Sequence, residues 1–407
     1  MLKNFRFLFM LMLALAVSFS ACTDDPDPDP DPDPDTTGNT VVSENISGEE
    51  TWTKDNVYQL GGRITVLDGA TLNIEAGTII KGEAGSGPNA TALLVARGGT
   101  LKAEGNENAP IIFTTIADEI TPEDIAAGNF GSPNLDPDID GLWGGVIILG
   151  KAPISASNDD GNTVIEVSIE GIPTTDPNGL YGGNEPGDNS GVIKYISIRH
   201  GGANIGAGNE INGLTLGGVG NGTVVENVEV ISNQDDGIEW FGGTVNVTNA
   251  VVWNVNDDAI DADQSWAGTL DNFVVITPGD HNFELDGPEG TMEAGYTLKN
   301  GIVIANSDER SSANLINIDN NTIVNFENVW IMAINEGQEV DNDPADSPGV
   351  TFDGVYFDVA EEDLSDIFPS GSVPDGIFAG QKTDAADVSV FGWTWASQYG
   401  ALDVLNK

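Results

Sequence analysis

The chain has 407 residues, with 65 Asp and Glu against 14 Lys and Arg, a formal charge of −51. Such a surface repels nucleic acid and anionic lipid, and takes a polyanionic substrate only with divalent cations in between. A single cysteine excludes any disulfide within the chain, so stability rests on packing and on ions.

Residues 1–21 read as an export signal. Lys3 and Arg6 precede an apolar stretch from Phe7 to Phe19 that is too short and wrongly flanked for a membrane span. Ser20-Ala21-Cys22 resembles a bacterial lipobox with Phe19 in place of the usual Leu, which implies cleavage before Cys22 and its acylation. Residues 22–40 then form a tether. Alternating Pro and Asp through Asp35 cannot pair as a strand, and the like charges extend the tract in a polyproline manner. Acidic residues directly after a lipidated cysteine resemble the tag that sends lipoproteins of some Gram-negative bacteria to the outer face of the outer membrane. With the leader removed (14 basic residues less Lys3 and Arg6), 12 basic residues face 65 acidic ones, a charge of −53.

Residues 41–407 show no second linker of this kind, which a solenoid growing by added rungs explains. Over residues 50–115, short β-branched runs alternate with Gly turns, and the phrases IEAGTIIKG and GGTLKAEGNENAPIIFTT resemble the opening rungs of secreted β-helix proteins, which cap the stack. Residues 116–140 interrupt the pattern with Pro and Asp and admit one helical turn over Pro122 to Ala126. Residues 158–189 form a second loop-rich excursion.

From 190 to 357 one pattern returns: VENVEVIS, VTNAVVWN, LDNFVVIT, LKNGIVIA, FENVWIMA and FDGVYF. Its Asn positions, 227, 249, 272, 300 and 328, are 22, 23, 28 and 28 apart, and Gly354 takes the same place 26 later. Each unit carries one alternating strand, too little to form a core alone, so units must stack. The period predicts an all-β fold: a single right-handed parallel β-helix of three sides, with inserted loops and a cap at each end. The asparagines would form an amide ladder at an inward turn. Residues 360–407 end in Trp393, Trp395 and Tyr399, expected as an apolar lid over the last rung.

Three acidic turns, NQDDGIEWFGG, NVNDDAIDADQSW and GDHNFELDGPEG, separate the central strands. At one rung of spacing, Asp235, Asp236, Asp257, Asp258 and His281 become stacked neighbours, and Glu239, Asp261 and Glu284 form a second column beside them. Carboxylates this close have two chemical uses. Asp236, Asp257 and Asp258, assisted by His281, are candidates for acid and base work on a glycosidic bond. Asp235, Glu239, Asp261, Asp263, Glu284 and Asp286 are candidate ligands for Ca²⁺, since stacked carboxylates repel one another unless cations, protons or donors relieve them. A third possibility leaves Asp and Asn as turn residues that bond their own backbone. Trp240, Trp266 and Arg310 are candidates for gripping a sugar.

The order NxD, DD and His at rung spacing resembles polygalacturonase-type hydrolases. It departs from them at Leu315-Ile316-Asn317, where that family has Arg-Ile-Lys. The phrases GNEINGLTLGGVGNGTVVENVEV, DDGIEWFGGTVNV and DDAIDADQSWAG resemble a family of outer-membrane lipoproteins of Gram-negative bacteria, over most of the chain. That resemblance implies a surface protein attached to membrane only through its lipid. The resulting expectation is a binder of extracellular polysaccharide serving an outer-membrane uptake receptor. The rivals are a hydrolase on the stacked acids, a lyase drawing its base from Arg199, Lys299 or Arg310, and a purely structural surface protein.

Overall fold

Parallel strands follow one another rung by rung in the computed structural model, which describes residues 39–406 apart from 88–89, 159, 206–209 and 320. Cys22 and the Pro-Asp tract lie outside the described residues. Fifteen strands form one sheet and nine a second, with parallel pairing throughout both. The nine-stranded sheet is made of short strands and includes Leu214–Gly217, Ile238–Phe241, Ile260–Asp263, Phe283–Leu285, Ile316–Ile318 and Val340–Asp341. The other is made in its upper part of strands of seven to nine residues, from Gly191–Arg199 and Val224–Ile231 up to Val350–Phe357. This is a right-handed parallel β-helix.

Each long strand supplies two sides of the prism because one residue in its middle bends it. Asn227, Asn249, Asn272, Asn300, Asn328 and Gly354 all have φ between +55° and +72° and drop out of the strand register. Asn and Gly tolerate this left-handed conformation, which explains their recurrence. The amides form a ladder: Asn249 donates to Asn227 (3.0 Å), Asn272 to Asn249 (2.7 Å) and Asn328 to Asn300 (2.8 Å). The ladder breaks where Asn300 donates to Asp271 instead. It is also not enclosed by the helix. Asn272 exchanges hydrogen bonds with the Asp387 backbone and Asn328 donates to the Ala385 carbonyl, so the C-terminal segment runs along its outer side.

Inside the prism, residues of all three sides bury a continuous apolar column. Rings pile up along it, with Phe273, Phe283, Phe326 and Phe352 at centroid spacings of 5.4–5.9 Å. Leu364, Ile367 and Phe368 close its upper end. The chain then turns back as a strap. Phe391, Trp395, Ala396 and Leu402 cover Ile231, Val251, Trp253, Val274 and Ile276 on the outer flank, while Trp393 packs lower down against Val57, Ile79 and Ile112. The expected lid of Trp393, Trp395 and Tyr399 is therefore a flank cover. Runs such as VVW and VVI put apolar side chains on both faces of their strands, and the outward ones need a cover of their own. Below it Glu229 accepts from the Ala396 backbone (2.9 Å), and the Arg199 guanidinium lies 4.9 Å from the Trp395 ring centroid.

Of the two excursions, the first contains the helical turn Pro122–Ala126, closed by a Thr121–Asp124 capping box. The second folds over the lower short strands, where Ile169, Ile172 and Tyr181 bury Ile147, Leu149 and Phe241.

Candidate functional site

The short strands alternate strictly. Ile238, Ile260 and Phe283 point inward with Trp240, Ala262 and Leu285, so Glu239, Asp261 and Glu284, which pair directly in register, point outward as one column. Thr215 lies below it, and Asn317 and Asp341 above. The turn before each strand adds the second column. Oxygens of Asp235, Asp236 and Asp257 lie within 4.8 Å of one another, and the same holds for Asp236, Glu239 and Asp261 and for ligand atoms of Asp258, Asp280 and His281.

The members differ in what they are free to do. Asp236 accepts the backbone N–H of Asp258 (2.9 Å), and Asp258 accepts that of His281 (2.6 Å), so both carboxylates tie one rung to the next. The His281 ring lies between Asp258 at Nδ1 (3.0 Å) and Asp341 at Nε2 (3.1 Å). Burial disfavours its cation, yet bonds and charges from Asp258, Asp341 and Asp280 outweigh that and push its pKa up to about 9. At neutral pH it is a clamped imidazolium, unsuited to act as a base. Asp258 is also pushed up by burial, but its bonds to His281 and Glu284 and the imidazolium charge bring it below the usual carboxylate range.

The remaining members shift the other way. Burial first, then the charges of neighbouring acids, pushes Asp236, Glu239, Asp261 and Asp263 well above the ordinary carboxylate range. Glu284, hydrogen-bonded to Asp258 and partly buried, rises to about 9. Burial raises Asp286 to about 6, with Asp319 and Glu289 adding to it. The two half-exposed members facing the turn, Asp235 and Asp257, rise to about 7 and about 6, burial again being the first cause. Asp261 is 7 % exposed, and its buried Oδ1 meets no hydrogen-bond partner. Oxygen donors alone, packed this closely, are the donor set of a hard cation such as Ca²⁺.

Several expectations need correction. Trp240 and Trp266 are fully buried inside the prism, stacked on each other at 4.5 Å with Tyr296 next, so they are core and touch no ligand. Strand alternation decides this: Glu239 takes the outward position, which leaves Trp240 inward. Arg310 is apart from the columns, bonded to the Val255 carbonyl and Asn256, with Asp138 and Asp140 as its charge partners. The three cations considered for a lyase are placed elsewhere too. Arg199 is buried under the strap, and Lys299 pairs with Asp271 at 3.3 Å. In the motif that replaces Arg-Ile-Lys, Ile316 is buried and Asn317 donates to Glu284 (3.1 Å).

Other members were missed. Asp341 clamps His281 from two strands higher, and Asn212 donates to Glu239 from the turn before the strand below. Rung counting extended in both directions would have found both. Glu170, whose charge raises Asp235, Glu239 and Asp263, comes from the folded-over excursion, and no period announces it.

A family model described as a pectate-lyase-like β-helix domain matches residues 44–367. No curated protein and no solved structure matches the chain.

Proposed function

The chain belongs to the pectate-lyase-like β-helix family, and from that premise we propose that it is a Ca²⁺-loaded polysaccharide-binding protein, displayed on the outer membrane by a lipid on Cys22 and serving an uptake receptor there. The observation that carries the cation is the unpartnered Oδ1 of Asp261 amid the carboxylates of Asp236 and Glu239. Oxygens lying within 4.8 Å of one another are close enough to share one ion. Asp261, Glu239 and Asp236 would hold the ion, with Asp263, Glu284 and Asp286 completing or repeating the site. Removal of an ion from such a cluster leaves mutually repelling carboxylates that must take up protons.

The family's fold is compatible with binding or with degradation of polysaccharide. Binding is favoured because Asp236 and Asp258 are committed to backbone bonds and His281 is held as a cation. A second reading, hydrolysis, draws on one observation: Asp235 and Asp257, half-exposed, titrate at about 7 and about 6, near the range a general acid needs. Calorimetry and thermal unfolding with Ca²⁺ and with EDTA test the proposal. Ca²⁺ is expected to raise Tm in the natural protein and to leave Asp261→Asn unmoved, and absence of any Ca²⁺ effect sinks the cation site. A glycan panel with reducing-end detection separates the two readings. Retention without new ends supports binding, whereas new ends that vanish in Asp257→Asn and come without the unsaturated product of β-elimination establish hydrolysis.

A further inference from the structure

Around the corner from the acidic columns, a groove of about 670 Å³ runs between the strap, the loop 136–138 and the loop 307–310. Its size is that of a small-molecule site. Trp253 lies at its base, only 5 % exposed, and Tyr399 stands over it from the strap, 58 % exposed, with ring centroids 5.2 Å apart at a tilt of 53°. Asp136, Asp138 and Glu309 bring exposed carboxylates to its lining, and Arg310 lines it beside Glu309.

We propose that this groove binds a stretch of neutral polysaccharide, with a sugar ring against Tyr399 and its hydroxyls donating to the lining carboxylates. The chemistry selects that class on two counts. An aromatic face left in solvent beside hydrogen-bonding groups matches a ring that is apolar on its flat side and polar on its edge. Three lining carboxylates against one guanidinium, itself engaged by Val255 and Asn256, repel uronates and sulfated sugars. The groove would therefore refuse polyanionic chains of the pectate kind. It deepens the polysaccharide-binding reading and rests on it, but it moves sugar contact away from Trp240 and Trp266 and away from the acidic columns.

Titration calorimetry with defined neutral hexasaccharides (glucan, mannan and xylan types) and with a galacturonate hexamer tests it in the presence of Ca²⁺. At least one neutral series is expected to bind and galacturonate not to bind. Tyr399→Ala, an exposed change expected to leave Tm unaltered, should weaken binding by about tenfold or more, while Glu362→Gln, at an exposed position outside the groove and the acidic columns, should retain it. Equal binding by Tyr399→Ala, or a preference for galacturonate, overturns the groove. If binding survives Tyr399→Ala but is lost in Asp261→Asn, the groove falls and the broader reading stands. If no glycan binds at all, both fall.

Discussion

At Asn249 the backbone stands at φ +60°, and the side chain both donates to Asn227 below and accepts from Asn272 above. Two demands meet in one residue: tolerance of the left-handed region, and an amide that bonds along the stack. They can be separated by substitution. Asn249→Ala loses both, with roughly 1–2 kcal/mol for the backbone and about 1 kcal/mol for each hydrogen bond. Asn249→Gly loses the bonds and keeps the backbone freedom, so it is expected to retain more stability than the Ala variant. Urea denaturation of the two variants measures the difference, and equal losses would remove the conformational explanation for the repeat. The acids obey a similar division. Asp236 and Asp258 each use one oxygen to bond the next rung, while the buried Oδ1 of Asp261 meets no partner.

The strap and the short-strand sheet are the two elements that give this stack individuality. Uncovered, the outer flank would present Ile231, Val251, Trp253, Val274, Ile276 and Ile304 to water, at roughly 25 cal/mol for each Å² of apolar surface. Trp395, 4 % exposed, sits at the middle of the cover. Trp395→Ala is expected to cost about 3–5 kcal/mol of stability, as for other buried large aromatics, and to loosen the strap so that its amides exchange faster than those of the rungs. Hydrogen exchange resolves this. Protection in residues 388–405 that is unchanged by the substitution would show that the strap does not depend on its tryptophan. The short-strand sheet carries its acids because every second residue of so brief a strand must face out. The covering excursion then converts part of an exposed column into a buried one.

For the molecule as a whole the acidic columns make stability depend on pH and on cations. Asp235, Asp257 and Asp286 start from 3.8 and rise to about 7, about 6 and about 6, and Glu284 rises from 4.5 to about 9. Between the unfolded and folded values, the folded protein binds more protons than the unfolded chain, so stability falls as pH rises through that window. His281, raised from 6.5 to about 9, acts in the same direction. Its contribution is complete below pH 6.5 and is lost as pH climbs through about 9. With EDTA present, Tm is therefore expected to decline from about pH 4 to about pH 9, and with Ca²⁺ the decline should flatten, because an ion takes the place of the protons. A Tm in EDTA that is flat or rising over that range would contradict the buried charge cluster.

Much of this was legible along the chain, and the reason is geometric. A repeat of 22 to 28 residues fixes which residues become vertical neighbours, so the Asn column and the pairing of Glu239, Asp261 and Glu284 followed from counting alone. Counting does not say what lies outside the stack, since segments without the period obey no register. Tertiary structure alone decided that residues 385–405 wrap the flank, that the excursion brings Glu170 over the acids, and that Arg310 serves a groove with Trp253 and Tyr399. It also decided the fate of Trp240 and Trp266. Both stand beside acids in sequence, yet strand alternation at Trp240 and the turn before Trp266 send the indoles into the core, where stacking on each other replaces contact with any ligand.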